Sequence, residues 1–473
     1  MSDLTAVVLA AGLGKRMKSQ LPKVLHPVAG RPLVHYPIAA ALQVGAIRAV
    51  VVVGRGRQQV EAYLQKAFGD RVSFATQEPQ LGTGHAVLQA LPSLPADASR
   101  ILIVYGDTPL LVVSDLDRLC EAARGSADAP LAMLTCDVSS PQGYGRILRG
   151  SDGKVIGIRE DRDLRSDAER ALTEVNPGMY CVKASFLREA VARLKADNAQ
   201  GEYYLTDLVA MAVAAGGVID VPGSPSNLVG VNDRCQLAQA EELMQARIIE
   251  RMRLGGATVG SGAVIDDTVE AEPDARIESN VVLRGATRIG ESAHIDAGCV
   301  ITDSHIGPGA WLKPYSIVTS SRVGAKAQIG PFAHLRPDSD IGEEAHVGNF
   351  VETKKTTMHR GSKANHLAYL GDGEIGEGAN IGAGTIFCNY DGFQKHKTTI
   401  GKGAFIGSDS QLVAPVVVGD NAYVGTGSTI TKDVPQDALA IGRARQENKE
   451  GYAARLRGKL AAAKAAAKAA DKK

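Results

Sequence analysis

The chain has 473 residues, 44% of them apolar and 22% charged, with a formal net charge of +1. Such a length exceeds one hydrophobic core and predicts two or three domains, while the near-neutral balance excludes wholesale binding of nucleic acid or membrane and confines anion recognition to local sites. No apolar run reaches the ~18 residues that span a bilayer, and Cys120, Cys136, Cys181, Cys235, Cys299 and Cys388 lack the paired spacing of a zinc or redox motif, which predicts reduced thiols in a cytoplasmic protein.

Met1-Ser2-Asp3-Leu4 leads straight into the strand-like Ala6–Ala10, so no export leader is expected. The stretch Leu9-Ala10-Ala11-Gly12-Leu13-Gly14-Lys15-Arg16-Met17 follows that strand and opens a helix. In this setting backbone N–H groups cradle phosphates. Met17 stands where a dinucleotide fingerprint has its third glycine, behind two cations, which favours a triphosphate over tight packing. Lys23 supplies a further cation.

From Thr5 to about Gly230, short apolar runs (Ala6–Ala10, Ala49–Val53, Ile101–Tyr105, Leu131–Thr135) alternate with helical patterns such as Val34–Leu42 and Gln58–Phe68. The alternation predicts an α/β layer of buried parallel strands with its ligands at their carboxyl ends. Asp107, in Tyr105-Gly106-Asp107, ends one such strand. A helix cap is the plainer reading of a lone Asp, but Mg²⁺ takes only one or two protein oxygens and needs no more.

Arg234 to Leu254 lacks Gly and Pro and reads as one helix stopped by Gly255-Gly256. From Ala257 to about Val434 an aliphatic residue recurs every six positions, as in Val323, Ile329, Leu335, Ile341, Val347 and again Ile400, Ile406, Leu412, Val418. That period predicts stacked short strands with an aliphatic prism interior. Thr353–Tyr369 and Asn389–Thr399 break the rhythm and are expected to leave the solenoid as loops. The tail from Arg455 is Ala and Lys with no apolar stripe to dock, and disorder is expected.

Polar residues crowd the repeat half around Arg336, Lys354, His366 and Asn380. Acetyl transfer to an amine needs a base whose pKa lies near the working pH, and histidine provides one. His366 has Lys, Asn and Tyr neighbours off the hexad phase, unlike a packing histidine.

Together Leu9-Ala10-Ala11-Gly12-x-Gly14-x-Arg16-Met17, Leu21-Pro22-Lys23, Leu81-Gly82-Thr83-Gly84-His85-Ala86 and Tyr105-Gly106-Asp107 resemble the sugar-nucleotide pyrophosphorylases. With the hexapeptide half, the whole resembles the bacterial bifunctional family of N-acetylglucosamine-1-phosphate uridylyltransferase / glucosamine-1-phosphate N-acetyltransferase. The resemblance implies an α/β Rossmann-like nucleotidyltransferase domain (1–232), a linker helix (233–254) and a left-handed parallel β-helix of hexapeptide repeats (255–454), then the tail (455–473). It further implies that Leu9, Ala10, Ala11, Gly12, Gln77, Gly82 and Thr83 hold uracil and ribose, with Tyr105 and Gly106 beside them. Arg16 and Lys23 would meet the phosphates, Asp107 and Asn232 would bind Mg²⁺, and Gly145, Glu160 and Asn176 would contact the acetylated sugar. In the repeat half His366 would be the general base. Arg336, Lys354, Tyr369 and Asn380 would hold glucosamine 1-phosphate, and Ala383, Asn389, Tyr390, Ser408, Thr426 and Arg443 would hold acetyl-CoA. The co-substrates would be UTP and acetyl-CoA, and the product UDP-N-acetylglucosamine for envelope synthesis. The family also implies a homotrimer. Lys15, Pro177 and Thr426 depart from its usual pattern.

Two other readings compete. The repeat half is a scaffold for a monofunctional nucleotidyltransferase, or the chain is a non-enzymatic assembly subunit; the off-phase His366 cluster counts against the first, and the presence of Arg16, Lys23, Asp107 and Asn232 against the second. A zinc hydratase needs three converging histidines, for which His334, His346, His359 and His366 are candidates by count alone.

Overall fold

The computed structural model describes residues 4–126 and 128–470, which form two compact units. In the first, Val72–Thr76, Ala49–Val53, Leu4–Leu9 and Arg100–Tyr105 lie side by side and parallel. Helices cover both faces, so alternate residues are buried in opposite directions: Ala6 and Val8 enter one apolar cluster, Val7 and Leu9 the other. Each parallel strand inferred from the sequence is present, but Leu131–Asp137 does not adjoin Arg100–Tyr105. Tyr180–Lys183 lies between them, antiparallel to both, and the sheet is mixed. Apolar runs report burial on both faces, not the identity of a neighbour.

The linker helix runs Arg234–Leu254, as the sequence predicts, and the Asp233 carboxylate caps it by accepting from Gln236 N at 2.9 Å. The compact units do not part at residue 255, however. Residues up to Glu270, and Val282–Ala286, group with the head. Gln245 explains this: its amide exchanges two 2.9 Å hydrogen bonds with the backbone of Ile265, while Arg31 and Arg251 both pair with Asp267.

The repeat region is a left-handed β-helix of three parallel sheets, with 11, 10 and 9 short strands. Its aliphatic positions are buried, Ile329, Leu335, Ile341 and Val347 each at 0% exposure. The corners between the first and second sheets carry non-glycine residues with left-handed backbone, Tyr315 (φ 59°), Phe332 (54°), Phe350 (56°) and Leu367 (50°), one per coil and all exposed. The three rings stack with centroids 5.6 Å apart.

Of the two expected loops only one exists. Residues 353–369 stay within the coil, because Glu352–Lys354 pairs in register with Tyr369–Gly371. The hexad looks broken there because polar Thr353 takes an inward place, satisfied by a 2.8 Å hydrogen bond to Ser339. The second does leave the prism, but over a shorter stretch than expected: Tyr390 bridges back to Lys395 at its neck, and Thr398 and Thr399 are already paired with Gly373 and Glu374 in the third sheet.

The tail is likewise not what the sequence suggested. Tyr452–Ala470 is an α-helix with no buried residue. Alanine has the highest intrinsic helix propensity, and starting at Tyr452 rather than Arg455 aligns that ring with Leu456 and Leu460. Residues 471–473 lie outside the described residues.

Candidate active sites

Leu9 and Tyr105 are register partners on adjacent strands. The chain therefore delivers Ala10–Gly12 and Gly106–Asp107 to the same carboxyl edge, joined by Gly106 N donating to Leu9 O at 2.9 Å. A cavity of about 390 Å³ opens there, lined by Leu9, Ala10, Ala11, Gly12, Lys23, Gln77, Gly82, Thr83, Tyr105, Asp107 and Asn232 among others. A second cavity of about 170 Å³ shares Tyr105, Asp107 and Asn232 with it and adds Gly145, Glu160, Asn176 and Gly178. Asp107 and Asn232 thus stand on the wall common to a larger and a smaller compartment. Arg16 is exposed on the turn Lys15–Met17 and lines neither cavity.

The shared wall already holds a cation. Lys23 Nζ pairs with Asp107 Oδ2 and donates to Asn232 Oδ1 at 3.3 Å, with both ion-pair side chains largely buried. Two hard oxygen donors aimed at one positive charge form a donor set that fits Mg²⁺ once the ammonium moves aside.

A segment not singled out in the sequence, Glu202–Asp207, closes the larger cavity. Glu202 lines it, Tyr203 N donates to Leu81 O at 2.8 Å, and Leu205 N donates to Thr83 Oγ1 at 3.1 Å. Only long-range contact gives this segment a role, since it matches no short phosphate or metal motif. In the smaller cavity Asn176 donates to Tyr180 Oη at 2.7 Å and accepts from Gly178 N at 3.0 Å. Gly178 has φ +92°, and a Cβ there would lie 2.2 Å from the Tyr105 ring, so only glycine lets that ring wall both compartments.

Glu160 accepts from Thr206 Oγ1 at 2.8 Å. Burial raises its pKa, more than the Thr206 hydrogen bond lowers it. The folded state therefore disfavours the charged carboxylate. That penalty is absent below the ordinary glutamate range, grows as pH rises through the raised value, and persists at neutral pH. Glu160→Gln is expected to raise the thermal midpoint of the head at neutral pH, with the gain shrinking in acid. Calorimetry across pH checks the sign.

In the repeat region, residues cluster at two edges of one face. At the first edge His366 Nδ1 lies 2.9 Å from Asn349 Oδ1. A carbonyl oxygen only accepts, so Nδ1 carries the proton and, in the neutral ring, the lone pair falls to Nε2. Further along the same edge Ala383, Ser408 and Thr426 stack one per coil through backbone hydrogen bonds of 2.7–2.8 Å, and Arg443 stands beside Gly427. At the second edge Arg336 pairs with Glu352 at 2.6 Å. Lys395 and Arg336 crowd Lys354 and lower its pKa, a concentration of positive charge that favours an anion. Lys395 escaped the sequence reading, though it lies in the excursion whose interruption of the hexad was visible. Tyr369 and Asn389 meet over Gly371, where a Cβ would lie 2.6 Å and 2.7 Å from them, and Asn389 also donates to Asp372 at 2.6 Å. Tyr390 is exposed, its hydroxyl turned to Gly392 O at 2.6 Å. Asn380 lies apart on the first sheet, in register with Lys363. Among the described residues no hydrogen bond or ion pair joins His366 to the Arg336 group.

Asn349→Leu is expected to lower any His366-dependent turnover by about tenfold or more in kcat. The KM for the acyl donor should stay in place, because Asn349 orients the base. Steady-state kinetics separate the two.

A two-compartment cavity at the carboxyl edge of an α/β sheet, followed by a hexapeptide prism with polar edges, defines a nucleotidyltransferase head joined to a hexapeptide-type transferase. Family models agree: residues 6–205 match the MobA-like NTP transferase domain, and 397–432 match the bacterial transferase hexapeptide (six repeats). The chain is 59% identical over 463 residues to Bifunctional protein GlmU of Sorangium cellulosum, covering 97% of this chain and 98% of that protein. To the Bifunctional protein GlmU of an Anaeromyxobacter species it is 52% identical over 457 residues (96% and 93% covered). To that of Aromatoleum aromaticum it is 48% identical over 453 residues (95% and 98% covered). The chain belongs to the GlmU family of bifunctional proteins.

Proposed function

We propose that this chain makes UDP-N-acetylglucosamine in two steps: it acetylates glucosamine 1-phosphate in the repeat domain, then uridylylates the product in the head. The carrying observation is that a two-compartment head cavity occurs in one chain with an oriented His366 at one edge of the prism and a cation cluster at another.

In the head, UTP occupies the larger compartment and the acetylated sugar phosphate the smaller. A phosphate oxygen of the sugar attacks the α-phosphorus, the bond to the β-phosphate breaks, and pyrophosphate leaves. Positioning and charge neutralisation do this work without a protein nucleophile. Lys23 would pass from Asp107 to the phosphates, and Asp107 and Asn232 would hold Mg²⁺, which would supply charge neutralisation at the reacting phosphates. Arg16 meets the phosphates from the exposed turn.

In the repeat domain Arg336, Lys354 and Lys395 hold the phosphate of glucosamine 1-phosphate. Its amine attacks the thioester carbon of acetyl-CoA, His366 Nε2 takes the proton, and the coenzyme A thiolate departs. Ala383, Ser408, Thr426 and Arg443 line the cofactor's edge. Because His366, the Arg336 group and Asn380 are distributed over different edges and faces, a complete site needs more than one copy of the chain. A cytoplasmic homotrimer joined along the exposed Tyr315–Phe332–Phe350 column supplies them.

Mass analysis of products from glucosamine 1-phosphate, acetyl-CoA, UTP and Mg²⁺ tests the reading. UDP-N-acetylglucosamine with free coenzyme A supports both steps. Product formed only from pre-acetylated sugar phosphate reduces the repeat domain to a scaffold.

A further inference from the structure

We propose that the C-terminal helix Tyr452–Ala470 seats the protein on anionic lipid surfaces. The helix buries none of its 19 residues, so packing among the described residues does not account for its composition. It carries five cations and no acidic residue, in a chain that as a whole nearly balances 53 basic with 52 acidic residues. None of the five pairs with a carboxylate among the described residues.

The arrangement of the charges identifies the partner. At about 100° per residue, Tyr452, Leu456 and Leu460 fall on one sector, exposed by 50%, 43% and 59%, with Ala463 and Ala467 continuing it. Arg457, Lys464 and Lys468 border that sector on one side; Arg455 and Lys459 border it on the other. Cations on both flanks of an apolar strip match a helix lying in a bilayer interface, where the strip enters the acyl boundary and long basic side chains reach back to headgroup phosphates. A nucleic-acid backbone calls for one cationic stripe and leaves Tyr452, Leu456 and Leu460 without a use. No described helix is long and apolar enough to cross a membrane, so the element lies on the surface. Three large apolar side chains form a small strip, so attachment is reversible and depends on salt.

Co-sedimentation of the full-length protein with phosphatidylglycerol–phosphatidylcholine vesicles tests this, with pure phosphatidylcholine as the reference. The bound fraction should depend on phosphatidylglycerol and fall in high salt. In the full chain, both Leu456→Ser/Leu460→Ser and Arg457→Glu/Lys464→Glu/Lys468→Glu should cut it by about tenfold, with uridylyl transfer unchanged. Equal binding to both vesicle types, or full binding by either variant, overturns the proposal. So does a shift of double-stranded DNA that survives the leucine substitutions in a protein that ignores vesicles.

Discussion

His366→Ala is expected to reduce acetyl transfer to glucosamine 1-phosphate by about 10²–10⁴-fold in kcat, with uridylyl transfer from UTP unchanged. The size follows from losing a base that geometry orients, since Asn349 holds Nδ1 and leaves Nε2 to take the proton. His366 is exposed and its removal leaves no cavity. A melting curve matching the parent should therefore accompany the loss. Separate coupled assays, one for free coenzyme A and one for pyrophosphate, give the answer. Loss of both activities in a folded variant rules out independent sites.

Asp107→Ala should give the reverse pattern: uridylyl transfer falls by about 10²–10³-fold, and acetyl transfer persists. Asp107 lies on the wall shared by the two head cavities and is the carboxylate that Lys23 contacts. Its loss removes the proposed charged metal ligand and leaves Lys23 with Asn232 Oδ1 as its remaining partner there. The Mg²⁺ concentration for half-maximal uridylyl transfer should rise in the same variant, a shift that a purely structural role does not predict. An unchanged Mg²⁺ requirement assigns Asp107 to scaffolding.

Much of this was legible in residue order, because the relevant physics is local or periodic. A hexad of aliphatic residues specifies a prism whatever surrounds it. A strand followed by a glycine turn marks a phosphate loop, and a helix bounded by Asp233 and Gly255 declares its own limits. Short motifs of the head carry a family resemblance, the candidate residues are those the resemblance implies, and most of them line the two cavities.

What depended on contacts between distant positions was not legible. Thr353 breaks the hexad in sequence but not in space, because Ser339 satisfies its hydroxyl. Glu202–Asp207 and Lys395 acquire a role only by where the chain returns, the first against Leu81 and Thr83, the second beside Lys354. The pairing of Lys23 with Asp107 spans 84 positions and that of Tyr180–Lys183 with Arg100–Tyr105 about as many, separations for which no sequence window carries a signal. By itself the sequence determined the two architectures and most of the candidate chemistry, since period, turn and cap act within a few residues. Only the tertiary structure decided which strands adjoin, which expected loop leaves the prism and which charges face one another, because burial and electrostatics act through space between groups the chain order keeps apart.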